Sequence, residues 1–171
     1  MTEPDPRSAT SDLPALAYVA LGSNQGDSVR LVSEAMDRLE RLSSRPVLRS
    51  SLWRTKPVDC PPASPEFINA VAGLEPMPGE TPESLLEKLQ DLEREFGRVK
   101  RKERNEPRVL DLDLILFGAE RRETKSLILP HPRAHVRRFV LGPLAGIASG
   151  IRWPGQDRTV EELLRELPTD Q

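Results

Sequence analysis

The sequence has one cysteine, Cys60, so no internal disulfide can form, and a reducing, cytoplasmic setting is the simplest reading. It has no run near the roughly 20 apolar residues that cross a bilayer, so no membrane partner is expected. Its opening stretch, MTEPDPRSATSDLP, lacks the basic start and apolar core of a signal peptide. Polar and proline-bearing, residues 1–13 are expected to form a disordered extension. An excess of one charge is also missing. With 25 Lys and Arg against 27 Asp and Glu, the formal net charge is −2, and no global basic field argues for nucleic acid. No internal repeat is visible. The rest of the 171-residue chain, 14–171, suits a single domain.

What is present is a readable alternation of strands and helices. LAYVAL, Leu16 to Leu21, reads as a strand ending at the turn cluster GSNQGD. Asp27 or Ser28 then caps a helix whose stripe is Val32, Ala35, Met36, Leu39 and Leu42. Val47 to Trp53 and Phe67 to Leu74 read as strands on either side of a proline-rich loop. Thr81 caps a second helix with Pro82 at its first position, a stripe of Leu85, Leu89, Leu92 and Phe96, and Gly97 at its end. RVLDLDLILFG follows a basic loop as another strand, and a short helix is expected near Val160 to Leu167. Strand, helix, strand, strand, helix, strand suits an α+β, ferredoxin-like sandwich, with helices packed on an antiparallel sheet.

The last strand poses a question, because two carboxylates interrupt its apolar run. Side chains alternate between faces, so Leu110, Leu112, Leu114 and Leu116 are expected to share the helix-packed face. Asp111, Asp113, Ile115 and Phe117 then share the other, with the two aspartate Cα atoms about 6.5–7 Å apart. Carboxylates that close repel unless a cation lies between them. A divalent ion with oxygen ligands answers that need, and Mg²⁺ is the usual one where phosphates complete the shell. In FINAVAGL the alternation puts Phe67 and Asn69 on the aspartates' side. Taken alone, Asp-x-Asp reads more readily as the wet face of an antiparallel strand, or as a pair for nearby arginines.

The surroundings add weight. Arg98, Lys100, Arg101, Lys102, Arg104 and Arg108 lie just before the pair. They read either as a solvated charge run, diluted by Glu103 and Glu106, or as an arm that closes cations over a polyphosphate. Without interleaved aromatics the run is a poor nucleic-acid surface. GSNQGD reads as an ordinary turn with an N-cap. In PHPRAHVRRF, proline on both sides holds His131 extended, and Pro132 argues against a zinc pair with His135. Cys60 has no local partner to activate it, and Trp53 and Trp153 read as packing residues.

Together, AYVALGSNQGD, SSLWRTKPV, FINAVAGLE, GRVKRKERNEPRVLDLDLILFG and LPHPRAHVRRFVLGPLAGIA resemble the 6-hydroxymethyl-7,8-dihydropterin pyrophosphokinase family of the folate pathway. The resemblance covers about residues 17 to 148. It implies ATP and 6-hydroxymethyl-7,8-dihydropterin as partners, two Mg²⁺ ions as cofactors, transfer of a diphosphoryl group to the pterin hydroxymethyl oxygen, and release of AMP. It carries Asp111 and Asp113 over as ligands of both metals, and Arg98 and Arg108 as arginines acting on the phosphates. Glu93, Lys100, His131 and Arg137 correspond to positions on or near the nucleotide. Thr55, Val58, Phe67, Asn69 and Phe139 correspond to the pterin site, with Phe139 stacking on the ring. A monomer or weak homodimer is the expected assembly.

The chain departs from many relatives at Asn105 and Glu106, where an aromatic and a glycine precede the Pro-Arg pair. Ser126 stands where some carry a basic residue, with Lys125 beside it, and Pro132 stands where an aromatic can sit. A rival reading is a non-catalytic ferredoxin-like module that binds a nucleotide or a partner through the same face.

Overall fold

In the computed structural model, residues 15–56, 65–97 and 109–169 are described. The expected extension at 1–13, the basic arm, and the candidate residues Val58, Arg98, Lys100 and Arg108 lie outside them, as do Cys60, Asn105 and Glu106.

The chain runs β1 (Ala17–Ser23), α1 (Ser28–Leu39), β2 (Leu48–Arg49), β3 (Trp53–Thr55), β4 (Phe67–Leu74), α2 (Pro82–Phe96) and β5 (Asp111–Phe117). A small hairpin, β6 (Arg122–Glu123) and β7 (Ile128–Leu129), follows, and then α3 (Arg138–Ala148) and α4 (Val160–Glu166). The main sheet is antiparallel, in the order β2-β4-β1-β5, with β3 pairing β4 on the same edge as β2. The strands and their two crossover helices make the ferredoxin-like α+β fold.

The caps explain the helices. The Asp27 carboxylate accepts from the Arg30 amide at 3.2 Å and starts α1. Thr81 and Ser84 exchange side-chain and backbone hydrogen bonds at the start of α2, where Pro82 takes the first position. Both helices lay aliphatic stripes on one face of the sheet: Val32, Ala35, Met36 and Leu39 from α1, and Leu85, Leu89 and Leu92 from α2. They meet Val19, Leu21, Ala70, Ala72, Leu112 and Leu114 there.

Two expectations about strands are corrected. The single strand over Val47–Trp53 is broken into β2 and β3. Ser50 causes the break: its amide donates to the Val71 carbonyl at 3.0 Å, while its Oγ takes the Val71 amide at 2.8 Å, so a side chain replaces a backbone acceptor and the ladder shifts. In β5 the alternation fails after Leu114. Val19 faces Leu114 but Tyr18 faces Leu116, so Ile115 is an extra, bulged residue. Ile115 and Leu116 therefore both join the second core, while Phe117 turns to the α1–α2 side. Asp111 and Asp113 precede the bulge and keep their expected face.

That second core occupies half of the sheet's other face. α3 and α4 pack Val140, Leu141, Leu144, Val160 and Leu163 against Tyr18, Val71, Ile115 and Leu116. Trp153, only 2 % exposed, is the largest side chain so buried. Trp153→Ala is expected to cost about 3–5 kcal/mol of stability, mainly as a cavity, readable in chemical denaturation at constant m-value. The helices leave the Asp111 end of the face uncovered by this core, and the candidate site lies there.

Candidate active site

Register sets one row across the sheet: Trp53 opposite Asn69, Asn69 opposite Gly22, and Gly22 opposite Asp111. Directly opposed residues share a face, so the amide and the carboxylate are separated only by a residue without a side chain. Gly22 leaves that place open: a Cβ there would stand 3.2 Å from Asn69 Oδ1, a tight contact that the amide would have to yield to. The neighbouring rows add Phe67 opposite Thr55 on one side and Asp113 opposite Ala20 on the other.

Asn69 is buried, and its Nδ2 donates to Thr55 Oγ1 at 2.7 Å, which fixes the amide's orientation. Asp111 is half-buried and Asp113 is exposed. At the mouth of β5, the buried Ser23 hydroxyl donates to the Val109 carbonyl at 2.6 Å. It ties the strand's entry to the end of β1, two residues before Asp111. Ser23→Ala is expected to cost about 1–3 kcal/mol, because a buried carbonyl loses its donor; an unchanged denaturation midpoint would refute that. Sequence reading missed both Gly22 and Ser23. Their only signal was their place in GSN, where a turn accounts for them equally well.

His131 arrives from far along the chain. Its amide donates to the carbonyl of the bulged Ile115 at 3.0 Å, so the bulge also anchors the Pro-His segment to β5. Its Nδ1 accepts from the Arg133 amide at 3.1 Å, which leaves the neutral ring's proton on Nε2. Burial pushes its pKa below the ordinary histidine value; Arg137, Arg133 and His135 push the same way, and Asp113 opposes them. The imidazole is thus a neutral donor at pH 7 rather than a cation.

Arg137 caps α3, and its guanidinium lies 5.6 Å from the centroid of the Phe139 ring. Phe139 is half-buried at the second core's margin. Glu93 is half-buried on α2, one turn before Gly97. The described residues thus bring Thr55, Phe67, Asn69, Asp111, Asp113 and His131 to one end of the sheet, with Arg137 and Phe139 at the start of the covering helix. Glu93 stands apart, on the helix across the sheet.

Among the described residues no cluster of three or more His, Cys, Asp or Glu could hold a metal by itself. Two carboxylates on one face instead fit a hard cation that takes most of its oxygens from a phosphate chain and water. A hollow of about 700 Å³ lies elsewhere: Arg54 and Ile68 place it on the opposite face, beside Asn24–Val29. The chemistry-bearing residues line an open shelf rather than that cavity.

Comparison with known proteins gives the family of the chain. Residues 18–149 match the model of the 7,8-dihydro-6-hydroxymethylpterin-pyrophosphokinase family. The chain belongs to this family. The pyrophosphokinase of Pseudomonas aeruginosa named for 2-amino-4-hydroxy-6-hydroxymethyldihydropteridine is 41 % identical over 152 residues, covering 88 % of this chain and 91 % of that one. The Bacillus subtilis protein of the same name is 40 % identical over 137 residues, 80 % of each. The fold is shared with a crystal structure of Plasmodium falciparum HPPK-DHPS, at a TM-score of 0.67 and 12 % identity. That match covers 95 % of this chain but 47 % of the solved one, so the chain spans about half the length of this structural neighbour. No helix among the described residues is long and apolar enough to cross a membrane.

Proposed function

We infer that the chain transfers the diphosphoryl group of ATP to 6-hydroxymethyl-7,8-dihydropterin, giving AMP and the pterin diphosphate, in folate biosynthesis. The observation that carries this reading is the family match over 18–149, with Asn69 and Asp111 in one row of the sheet. Residues 14–171 would act as one pyrophosphokinase domain, in the cytoplasm, as a monomer or weak homodimer.

The row supports a division of the work. Asn69, held by Thr55, presents its second amide hydrogen and Oδ1 to the polar edge of the pterin. Phe67 and Phe139 are placed to flank the flat ring. Val58 would add backbone contacts at the heterocycle's edge. Asp111 and Asp113 would hold two Mg²⁺ ions against the triphosphate. Bound there, Mg²⁺ would supply neutralisation of phosphate charge and a lowered pKa for the attacking hydroxyl.

The pterin hydroxyl oxygen forms a bond to the β-phosphorus, the bond from that phosphorus to the α-phosphate's bridging oxygen breaks, and AMP leaves with that oxygen. The hydroxyl proton passes to solvent, since the one ionisable side chain of the row, Asp111, would be engaged as a metal ligand. His131 donates from Nε2 to an oxygen of the nucleotide, and Arg137 neutralises phosphate charge beside it. Arg98, Lys100 and Arg108 would close over the same phosphates, where arginine's fork grips two oxygens and lysine acts as a point charge. Glu93, on α2, would lie near the basic segment and orient it.

AMP release from ATP and Mg²⁺, followed with and without the pterin, tests the reading. AMP formed only with pterin, in step with pterin diphosphate and abolished reversibly by EDTA, is the expected result. Saturable binding of ATP or pterin without AMP would overturn it in favour of a binding module.

A further inference from the structure

Gly142 lies in α3 where no side chain fits. A Cβ there would stand 2.2, 2.6 and 2.7 Å from three ring atoms of Trp53, whereas ordinary contact begins at 3.4 Å. The helix backbone therefore rests directly on the indole. Trp53 is half-buried in β3, directly opposite Asn69 and two residues before Thr55, whose Oγ1 holds the Asn69 amide. On the helix, Phe139 precedes Gly142 by three residues, and residues so spaced lie on one stripe. This close approach of α3 to the sheet edge is thus one position from Asn69 on one side and one turn from Phe139 on the other.

We propose that the Trp53–Gly142 contact is a spacer that sets the gap between Phe139 and the Asn69–Thr55 pair, and so determines which flat heterocycle fits the slot. The inference rests on the pyrophosphokinase reading above and makes Trp53 and Gly142 positioning residues. An alanine at 142 must displace the helix or the indole by on the order of 1 Å. A radial gap of about 0.5–1 Å already forfeits a quarter to a half of the dispersion attraction between packed atoms. A ring gripped between Phe139 and the sheet would lose much of its contact, while of the nucleotide's groups only Arg137 stands at the start of α3, and Asp111, Asp113 and His131 stand on other elements.

The test compares KM for pterin, KM for ATP and kcat among wild type, Gly142→Ala, Trp53→Leu, the double variant Gly142→Ala/Trp53→Leu, and Leu163→Ala. Leu163 belongs to the same second core but to α4, so it controls for lost stability alone. Gly142→Ala is expected to raise the pterin KM at least ~10-fold, in line with the cost of misplacement by about 1 Å, with ATP KM raised much less, since only Arg137 among the nucleotide's groups adjoins α3. The double variant recovers, because the smaller side chain admits the new methyl group, and Leu163→Ala lowers Tm with pterin KM unchanged.

A pterin KM for Gly142→Ala equal to wild type overturns the proposal. So does a double variant no better than the single, or Leu163→Ala shifting pterin KM alike. Should Gly142→Ala not fold, Trp53→Leu carries the test from the other side: a raised pterin KM with ATP KM raised much less supports the spacer, and two unchanged values refute it. Wild type without pterin-dependent AMP overturns the functional reading and this proposal with it; active wild type with an indifferent Gly142→Ala overturns the proposal alone.

Discussion

Asp111→Ala or Asp113→Ala is expected to lower kcat by about 10³-fold or more, equivalent to roughly 4 kcal/mol of transition-state stabilisation. Each change would remove a metal ligand rather than one hydrogen bond. Asp111 and Asp113 are the adjacent carboxylates on the row face, and no third His, Cys, Asp or Glu joins them among the described residues, so nothing there stands in for either. Folding should survive, since Asp113 is exposed and Asp111 only half-buried. Quenched-flow AMP formation with saturating pterin reads the effect. Near-normal turnover in Asp113→Ala would remove the two-metal assignment, while weakened Mg²⁺-dependent ATP binding with pterin binding retained in the inactive variants would support it.

The second large effect is expected on the other substrate. Asn69→Ala should raise the pterin KM by about 10²-fold, or 2–3 kcal/mol, with little change in ATP KM. A site built to pair a heterocycle's polar edge leaves that edge unpaired when the amide is lost, and buried polar groups without partners are costly. The amide is already oriented by Thr55 and shielded by the sheet, so water cannot easily replace it. Thr55→Ala should move the same constant in the same direction but less, because it frees the amide without deleting it. Steady-state kinetics with each substrate varied in turn distinguishes these outcomes; an unchanged pterin KM in Asn69→Ala would remove the residue from the pterin site.

The helices α1 and α2 were legible because their signals are local: a capping aspartate, a capping threonine with Pro82, and apolar residues at 3.6 spacing. The shared face of Asn69, Phe67 and the two aspartates was legible because strand alternation has period 2. The bulge was not, since LILF is apolar on both sides of it and either frame buries a hydrophobe. α3 was not legible as a helix, because Pro143 and two glycines weaken its local signal, although burial over the sheet overrides their poor propensity. The break at Ser50 depends on a hydrogen bond across strands, and the meeting of His131 with Asp113 on contacts between distant parts of the chain. Trp53 and Trp153 were read as packing residues, and both pack; that the partner of Trp53 is a bare helix backbone could not be seen without the fold.

The extra residue at Ile115 means that β5 is read in two frames. Before it, side-chain direction answers to a ligand; after it, to an interior, and the bulge is where one rule hands over to the other. The two halves of the strand can therefore change independently. Substitutions that retune what the aspartate end binds need not be compatible with the packing beyond Leu114. The downstream half, tied by its carbonyl to the Pro-His segment, can serve as a fixed foundation for redesign.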